Sequence, residues 1–155
     1  MQFALIWWLT QKTGSATILA TISLVALLPQ IVLGPFVGGL VDRWNRRMIM
    51  IVADLVIALM TAILIFLFMS GRIEVWHIYA GALVRSLGGA FHYPAMAAST
   101  TLMVPDKHLA RVAGANQLLQ GVVSIFSPPL AALLISLMPT EAVLAIDIGT
   151  ASVAI

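Results

Sequence analysis

The chain has 155 residues, 61% of them apolar, and its charged side chains are eight Lys and Arg and six Asp and Glu. A soluble domain has about 45–50% apolar and about 25% charged residues, so this composition excludes an ordinary water-soluble globule. It also excludes intrinsic disorder, which needs low hydrophobicity and high net charge. So few cations make no nucleic-acid-binding surface, and the absence of cysteine excludes a thiol nucleophile and a thiolate metal site. We therefore expect the solvent of this protein to be the lipid bilayer.

Apolar segments separated by short polar clusters follow one another along the chain. A membrane-spanning helix needs about 20 predominantly apolar residues, and these segments are too long and too poorly alternating for membrane-spanning strands. The pattern predicts an all-α membrane protein, a polytopic helical bundle with four complete spans and a partial span at each end. The predicted spans cover residues 1–11 (partial), 16–41, 48–69, 75–104, 110–138 and 142–155 (partial). Because the two end segments are too short to cross the hydrocarbon core, we expect the chain to be a piece of a longer protein.

The positions of the cations predict the orientation of the bundle in the membrane. Loops 42–47 and 105–111 fall on one side and carry five Lys and Arg residues, whereas the other side carries only Lys12 and Arg72. Cytoplasmic loops of membrane proteins hold an excess of Lys and Arg. We therefore expect loops 42–47 and 105–111 to lie in the cytoplasm.

Arg85 is a cation inside a predicted span. An Arg near the middle of a bilayer costs about 2.5–3.5 kcal/mol on insertion scales, so it must face a partner or a water-filled cavity. His92 lies on the same helical face, seven residues later. A lone His inside a protein is more often a packing residue, but its place on the Arg85 face favours a transport path.

Asp54 and Asp147 are acids inside predicted spans. Helix geometry puts Asp54 about 10 Å and Arg85 about 28 Å from the cytoplasmic side, so the two are too far apart in depth to pair. We expect Asp54 to pair instead with the arginines of loop 42–47. A structural ion pair and a role in coupling are both open for this residue.

Polar or small residues recur at helical spacing in two further spans. In span 110–138 they are Gln117, Gln120, Ser124 and Ser127, with Asn116 beside them. This stripe predicts a cavity lining, with interhelical hydrogen bonding as the alternative. In span 16–41, Gly34 and Gly38 form a small-xxx-small pair, which predicts the close approach of another helix.

The sequence carries none of the common enzyme signatures: no H-E-x-x-H, no P-loop and no G-x-S-x-G. Its three histidines lie far apart in the sequence, and no acid accompanies them at ligand spacing. The residues therefore predict no enzyme, no cofactor and no metal site.

The link between the second and third spans carries the most specific motif. It reads Gly38-Gly39-Leu40-Val41-Asp42-Arg43-Trp44-Asn45-Arg46-Arg47. This run resembles the signature G-x-L-a-D-R-x-G-R-K/R of the major facilitator superfamily, which lies in the cytoplasmic link of helices two and three. Asn45 stands where the family has Gly, and since Asn tolerates the left-handed conformation better than most residues, we expect the turn to be kept. In the fourth span, Arg85-Ser86-Leu87-Gly88-Gly89 is similar to the family's R-x-x-Q-G.

Four further runs resemble the macrolide-efflux branch of that superfamily, whose relatives include the enterobactin exporters. They are Phe91-His92-Tyr93-Pro94-Ala95, Leu102-Met103-Val104-Pro105, Gly114-Ala115-Asn116-Gln117 and Ala145-Ile146-Asp147. The resemblance implies the N-terminal six-helix half of a twelve-helix exporter, with helices one and six incomplete. It also implies a bacterial inner membrane, a drug-like small-molecule substrate, protons as the coupling ion and a missing C-terminal bundle as partner. The alternative is a non-transporting truncated fragment, or a half-transporter that needs a partner bundle.

The resemblance implies roles for two groups of residues. The first group forms a cytoplasmic latch and consists of Gly38, Asp42, Arg43, Arg46, Arg47 and Asp54. The second group lines the substrate or proton path and consists of Arg85, His92, Asn116, Gln117, Gln120 and Asp147. Asp42 follows the C-terminal end of a predicted helix, where an anion is unfavourable. The resemblance explains this position, since it implies that Asp42 caps a helix of the other bundle.

Overall fold

Six α-helices joined by short turns make up the described part of the chain. The computed structural model describes residues 2–41 and 43–154, with side chains for all of them except residues 2–4, 101, 141, 147 and 151–154. The helices are α1 (Gln2–Thr13), α2 (Ala16–Val41), α3 (Arg46–Met69), α4 (Val75–Met103), α5 (Asp106–Leu137) and α6 (Thr140–Ala154). No strand occurs within residues 2–41 and 43–154, which confirms the all-α prediction.

Asn45 sets the start of α3. Its Oδ1 accepts hydrogen bonds from the backbone N–H groups of Arg47 at 3.1 Å and Met48 at 3.4 Å. A helix start leaves such N–H groups without a helical partner, so this cap lets α3 begin at Arg46, earlier than the predicted span. Asn45 has φ −68° and ψ 109°, which is extended backbone. The expectation of a left-handed turn at Asn45 is therefore wrong, because the side chain works as an N-cap instead.

The connection between α4 and α5 is shorter than the predicted loop. α5 begins at Asp106, so most of loop 105–111 is helical, and only Val104 and Pro105 join the two helices. Asp106 lies in the first turn of α5, where an acid is favourable because it faces the positive end of the helix dipole. Lys107 and Arg111 therefore stand on exposed first turns of a helix and not in a loop.

Three of the described helices, α2, α3 and α5, are long and apolar enough to cross a membrane. α4 has 29 residues. It would reach about 43 Å, beyond a bilayer core of about 30 Å. Its sequence includes Arg85, His92 and several small residues among the apolar ones. α1 and α6 have only 12 and 15 residues.

Two glycines of α4 bring this helix close to α3. A Cβ added at Gly81 would lie 2.8 Å from Leu64 Cδ1, and one added at Gly88 would lie 2.6 Å from Ile57 Cδ1. Small residues are what allow membrane helices to approach this closely. The glycines therefore fix α4 against α3.

The close packing predicted at Gly34 and Gly38 of α2 is not found among the described residues. Both glycines are exposed, and a Cβ at either would meet no described atom within 4 Å. Small residues recur at helical spacing both in α2, where they are open, and in α4, where they pack against α3. Their spacing alone therefore does not predict which of the two stripes another helix covers. This face of α2 is open.

The buried apolar side chains form two clusters. The larger joins α1, α2, α3, α4 and α6, and its buried members are Leu5, Leu9, Ile22, Leu64, Ile73, Ile78 and Leu144. The smaller joins α2, α3 and α4, and its buried members are Val37, Val41, Ile49 and Ala95. α5 belongs to neither, since none of its described residues is buried. The packed core is therefore built around α4, and α5 stands at its side.

We expect Gly88→Leu to lower the stability of the bundle. The new side chain would overlap Ile57, and overpacking of this kind costs about 1–3 kcal/mol. Thermal unfolding in detergent micelles, followed by circular dichroism, measures the loss. The matched control is Gly121→Leu in α5, where an added Cβ meets no described atom within 4 Å. An equal loss in both variants would contradict the close contact at Gly88.

Candidate functional site

A polar cavity lies between α1, α2, α3 and α4, with a volume of about 260 Å³. Its apolar wall includes Leu5, Ile6, Ile22, Ala26, Ile57 and Ile78. Its polar side chains are Gln30 of α2, Asp54 of α3, and Arg85, Ser86, His92 and Tyr93 of α4. Ionisable groups inside a membrane bundle are costly and mark ion or substrate pathways by default. This cavity is therefore the candidate site.

Asp54 and His92 meet in this cavity. Asp54 Oδ2 lies 3.5 Å from His92 Nε2. The expectation that Asp54 pairs with the cytoplasmic arginines is wrong, because its ion pair in the structure is with His92. Asp54 comes eight residues after the start of α3, and His92 comes eleven residues before the end of α4. Because α3 and α4 are antiparallel, both residues lie about 12–17 Å from the same end of the helix pair. The sequence positions of the two residues alone give this similar depth.

Arg85 lines the same cavity, two turns before His92 on α4. Its neighbour Ser86 is buried, and the Ser86 hydroxyl donates a hydrogen bond to the Ala26 carbonyl at 2.6 Å, which ties α4 to α2 beside the cavity. A Cβ added at Gly89 would lie 3.3 Å from Gln30 Nε2, so this glycine gives the Gln30 amide its place. The structure thus brings Arg85, Asp54 and His92 to one cavity.

The polar stripe of α5 reaches this site at one residue among those described. Gln120 Nε2 donates a hydrogen bond to the hydroxyl of Tyr93, the residue next to His92. Asn116 and Gln117 are exposed and do not line the cavity. The side chain of Asp147 lies outside the described part of the chain. Of the residues predicted for the substrate or proton path, Arg85 and His92 therefore line the cavity, and Gln120 lies at its edge.

Four residues of the predicted latch lie at one end of the bundle: Gly38, Arg43, Arg46 and Arg47. Arg46 Nη1 donates a hydrogen bond to the Ala98 carbonyl at 3.0 Å, which joins the start of α3 to the last turns of α4. Arg43 and Arg47 are exposed, and Gly38 faces open space. Asp42 lies outside the described residues. The Arg46 contact shows that the α2–α3 and α4–α5 connections share one end of the bundle.

Sequence reasoning did not assign Ser86 and Tyr93 to the cavity. Each directly follows an assigned residue, but successive helical side chains point about 100° apart, so adjacency does not predict a shared site. The described residues contain no group of three or more His, Asp or Glu residues that could hold a metal ion.

The sequence profile of the Major Facilitator Superfamily matches residues 1–155. The chain belongs to the major facilitator superfamily. This membership confirms the family predicted from residues 38–47 and makes the helical bundle a membrane-embedded one.

Two relatives within the superfamily are similar over nearly all of this chain. A Streptococcus pyogenes protein named Macrolide efflux protein A is 44% identical over 154 residues, which is 99% of the chain and 38% of the relative. An Enterococcus faecalis protein of the same name is 43% identical over 141 residues, which is 91% of the chain and 43% of the relative. The chain thus spans about two fifths of the length of these relatives. No solved structure matches it.

We expect a double-mutant cycle to detect the contact between Asp54 and His92. Residues in contact couple by about 0.5–3 kcal/mol, whereas residues more than about 10 Å apart behave additively. The cycle compares the unfolding free energies of Asp54→Asn, His92→Gln and the double variant in detergent micelles.

The control cycle combines Asp54→Asn with His77→Gln. His77 lies fifteen residues before His92 on α4, about 22 Å away along the helix, so this pair should be additive. Additivity in both cycles would show that Asp54 and His92 do not interact.

Proposed function

We propose that this chain forms the N-terminal helical bundle of a proton-driven exporter that carries macrolide-like drugs or other small hydrophobic compounds across a bacterial inner membrane. The observation that carries the proposal is the 44% identity with Macrolide efflux protein A over 99% of the chain. The matched part of the chain covers the residues of the cavity. The names of these relatives describe transport and not an enzymatic reaction.

The cavity supports a transport function by its composition. Sites for small molecules are concave and mostly apolar, with a few converging polar groups, and usually measure about 300–1,000 Å³. The cavity of about 260 Å³ is slightly smaller, as expected where a second bundle supplies the other wall. Transporters of this superfamily bind substrate near the midplane, between their two halves. We assign Arg85, His92 and Gln120 to the substrate or proton path on this ground.

The exposed polar stripe of α5 supports the presence of a second bundle. Asn116 and Gln117 are exposed on a helix apolar enough to cross a membrane. Polar side chains within spans avoid lipid and face protein or water-filled cavities. We assign Asn116 and Gln117 to the face that meets the second bundle, and we place Asp147 of α6 with the path residues.

We propose that the cytoplasmic latch consists of Gly38, Asp42, Arg43, Arg46 and Arg47. Gly38 faces open space on α2, which leaves room for a helix of the second bundle. Asp42 follows the C-terminal end of α2, where an anion is unfavourable unless it caps the positive end of another helix. Asp54 contacts His92, so we assign it to the cavity and not to the latch. We place residues 42–47 and 105–111, which carry five Lys and Arg residues, on the cytoplasmic side.

Drug accumulation in bacteria that express the complete protein tests the function. We expect cells with the protein to accumulate less erythromycin than cells without it, and a protonophore to remove the difference. Arg85→Ala should accumulate as much as cells without the protein, because the cavity loses its fixed cation. The matched control is Arg111→Ala, an exposed cation on the first turns of α5, which should export normally. Export that a protonophore leaves unchanged would contradict proton coupling.

We expect Asp42→Asn to reduce export to the level of cells without the protein while leaving membrane insertion intact. The amide keeps the size of the side chain but removes the charge that the partner helix end would stabilise. The same accumulation assay, with protein levels measured in isolated membranes, gives the result. Normal export by Asp42→Asn would contradict the latch.

A further inference from the structure

Asp54 and His92 are a titratable pair that the sequence had placed in separate groups. The 3.5 Å between Oδ2 and Nε2 is too long for a normal hydrogen bond and short enough for an ion pair. The two side chains are 26% and 31% exposed, so both are partly enclosed and still open to the cavity. Such a pair can gain a proton from water without a change of fold.

The other groups around this pair decide which atom takes the proton. From α1 and α2, the described residues facing the cavity are apolar apart from Gln30, which does not ionise. From α4 come the Arg85 guanidinium and the hydroxyls of Ser86 and Tyr93. No described residue of α5 or α6 lines the cavity. Of the side chains around the cavity, the imidazole of His92 is the one whose residue type ordinarily gains and loses a proton near neutral pH.

We propose that His92 Nε2, facing the carboxylate of Asp54, is the site at which the coupling proton binds. Hydronium in the cavity donates the proton, so one O–H bond breaks as the Nε2–H bond forms; on release the Nε2–H bond breaks and a water molecule takes the proton as hydronium. Histidine is the side chain that ordinarily changes charge between about pH 5 and 8. The inference rests on the proposed function, because it names the ion site of that exporter.

Proton binding changes both the charge and the geometry of the cavity. Among the described side chains of the cavity, a neutral His92 leaves one negative charge, on Asp54, and one positive charge, on Arg85, and the imidazolium adds a second positive charge. An imidazolium next to a carboxylate forms a charge-assisted hydrogen bond of about 2.7–2.9 Å, shorter than the contact now present. Binding of the proton therefore draws the two side chains together, and its release lets them separate. This movement links the proton to the shape of the cavity.

The test uses the complete protein in liposomes with a pH-sensitive dye inside and labelled erythromycin as the drug. Two fluxes are measured: drug-dependent proton movement, and exchange of labelled for unlabelled drug without a pH gradient. We expect His92→Gln and Asp54→Asn to lose the proton movement and to keep the exchange. Asp54→Glu, which retains a carboxylate, should restore part of the proton movement. The matched control is His108→Gln, an exposed histidine at the start of α5, which should keep both fluxes.

Proton movement at the wild-type level in His92→Gln or Asp54→Asn would overturn the inference while leaving the exporter function standing. A wild-type protein that shows neither flux would contradict the proposed function instead.

A measurement without drug then tests the proton site on its own. Ring-nitrogen NMR of histidine-labelled protein in lipid nanodiscs should show His92 taking up one proton between about pH 5 and 8, with the uptake altered in Asp54→Asn. A His92 ring that keeps one protonation state across this range would overturn the inference.

Discussion

The contact of α4 with α3 at Gly88 is the constraint on which the candidate site depends. Gly88 lies between Arg85 and His92 on α4, and a Cβ there would strike Ile57, one turn after Asp54 on α3. Without a side chain at this position the two backbones come together, and the longer side chains on either side of the contact reach the same cavity. A larger residue would push the helices apart and remove the Asp54–His92 contact, even though neither residue had changed.

The bilayer explains why so few charges are enough to organise this protein. In water a half-exposed ion pair contributes little, because solvent screens it. In a membrane bundle, ionisable side chains must face the protein interior or a water-filled cavity. The positions of Asp54, Arg85 and His92 therefore restrict how α3 and α4 can be arranged. The apolar residues around them, such as Ile57 and Ile78, pack well in many arrangements, whereas the polar residues select one of them.

The sequence alone predicts the helices and the family, but it does not predict the contact between Asp54 and His92. Long apolar runs and the motif at residues 38–47 led to an all-α membrane bundle of the right superfamily, because both are local signals. The N-cap at Asn45 and the helical start at Asp106 were missed, since the same polar residues serve loops and helix starts. The distance from the helix ends separates Asp54 from Arg85 but not from His92, so a comparison with Arg85 alone does not predict the partner of Asp54. Tertiary contacts decide which pair of glycines packs against a neighbouring helix. The spacing of glycines along one helix does not predict these contacts.

The hydrogen bond from Arg46 to the Ala98 carbonyl has a mechanical consequence. It joins the start of α3 to the last turns of α4, while Gly88 and Gly81 hold the same two helices together further along. Two elements fastened at several levels move as one rigid body. α5, by contrast, has no buried described residue and meets α4 beside the cavity through Gln120 and Tyr93. α3 and α4 therefore form a fixed part of the cavity, and α5 forms an adjustable border at its edge. For an exporter of the kind we propose, this division would let drugs of different shapes be accommodated on the α5 side without disturbing the charged groups on the other.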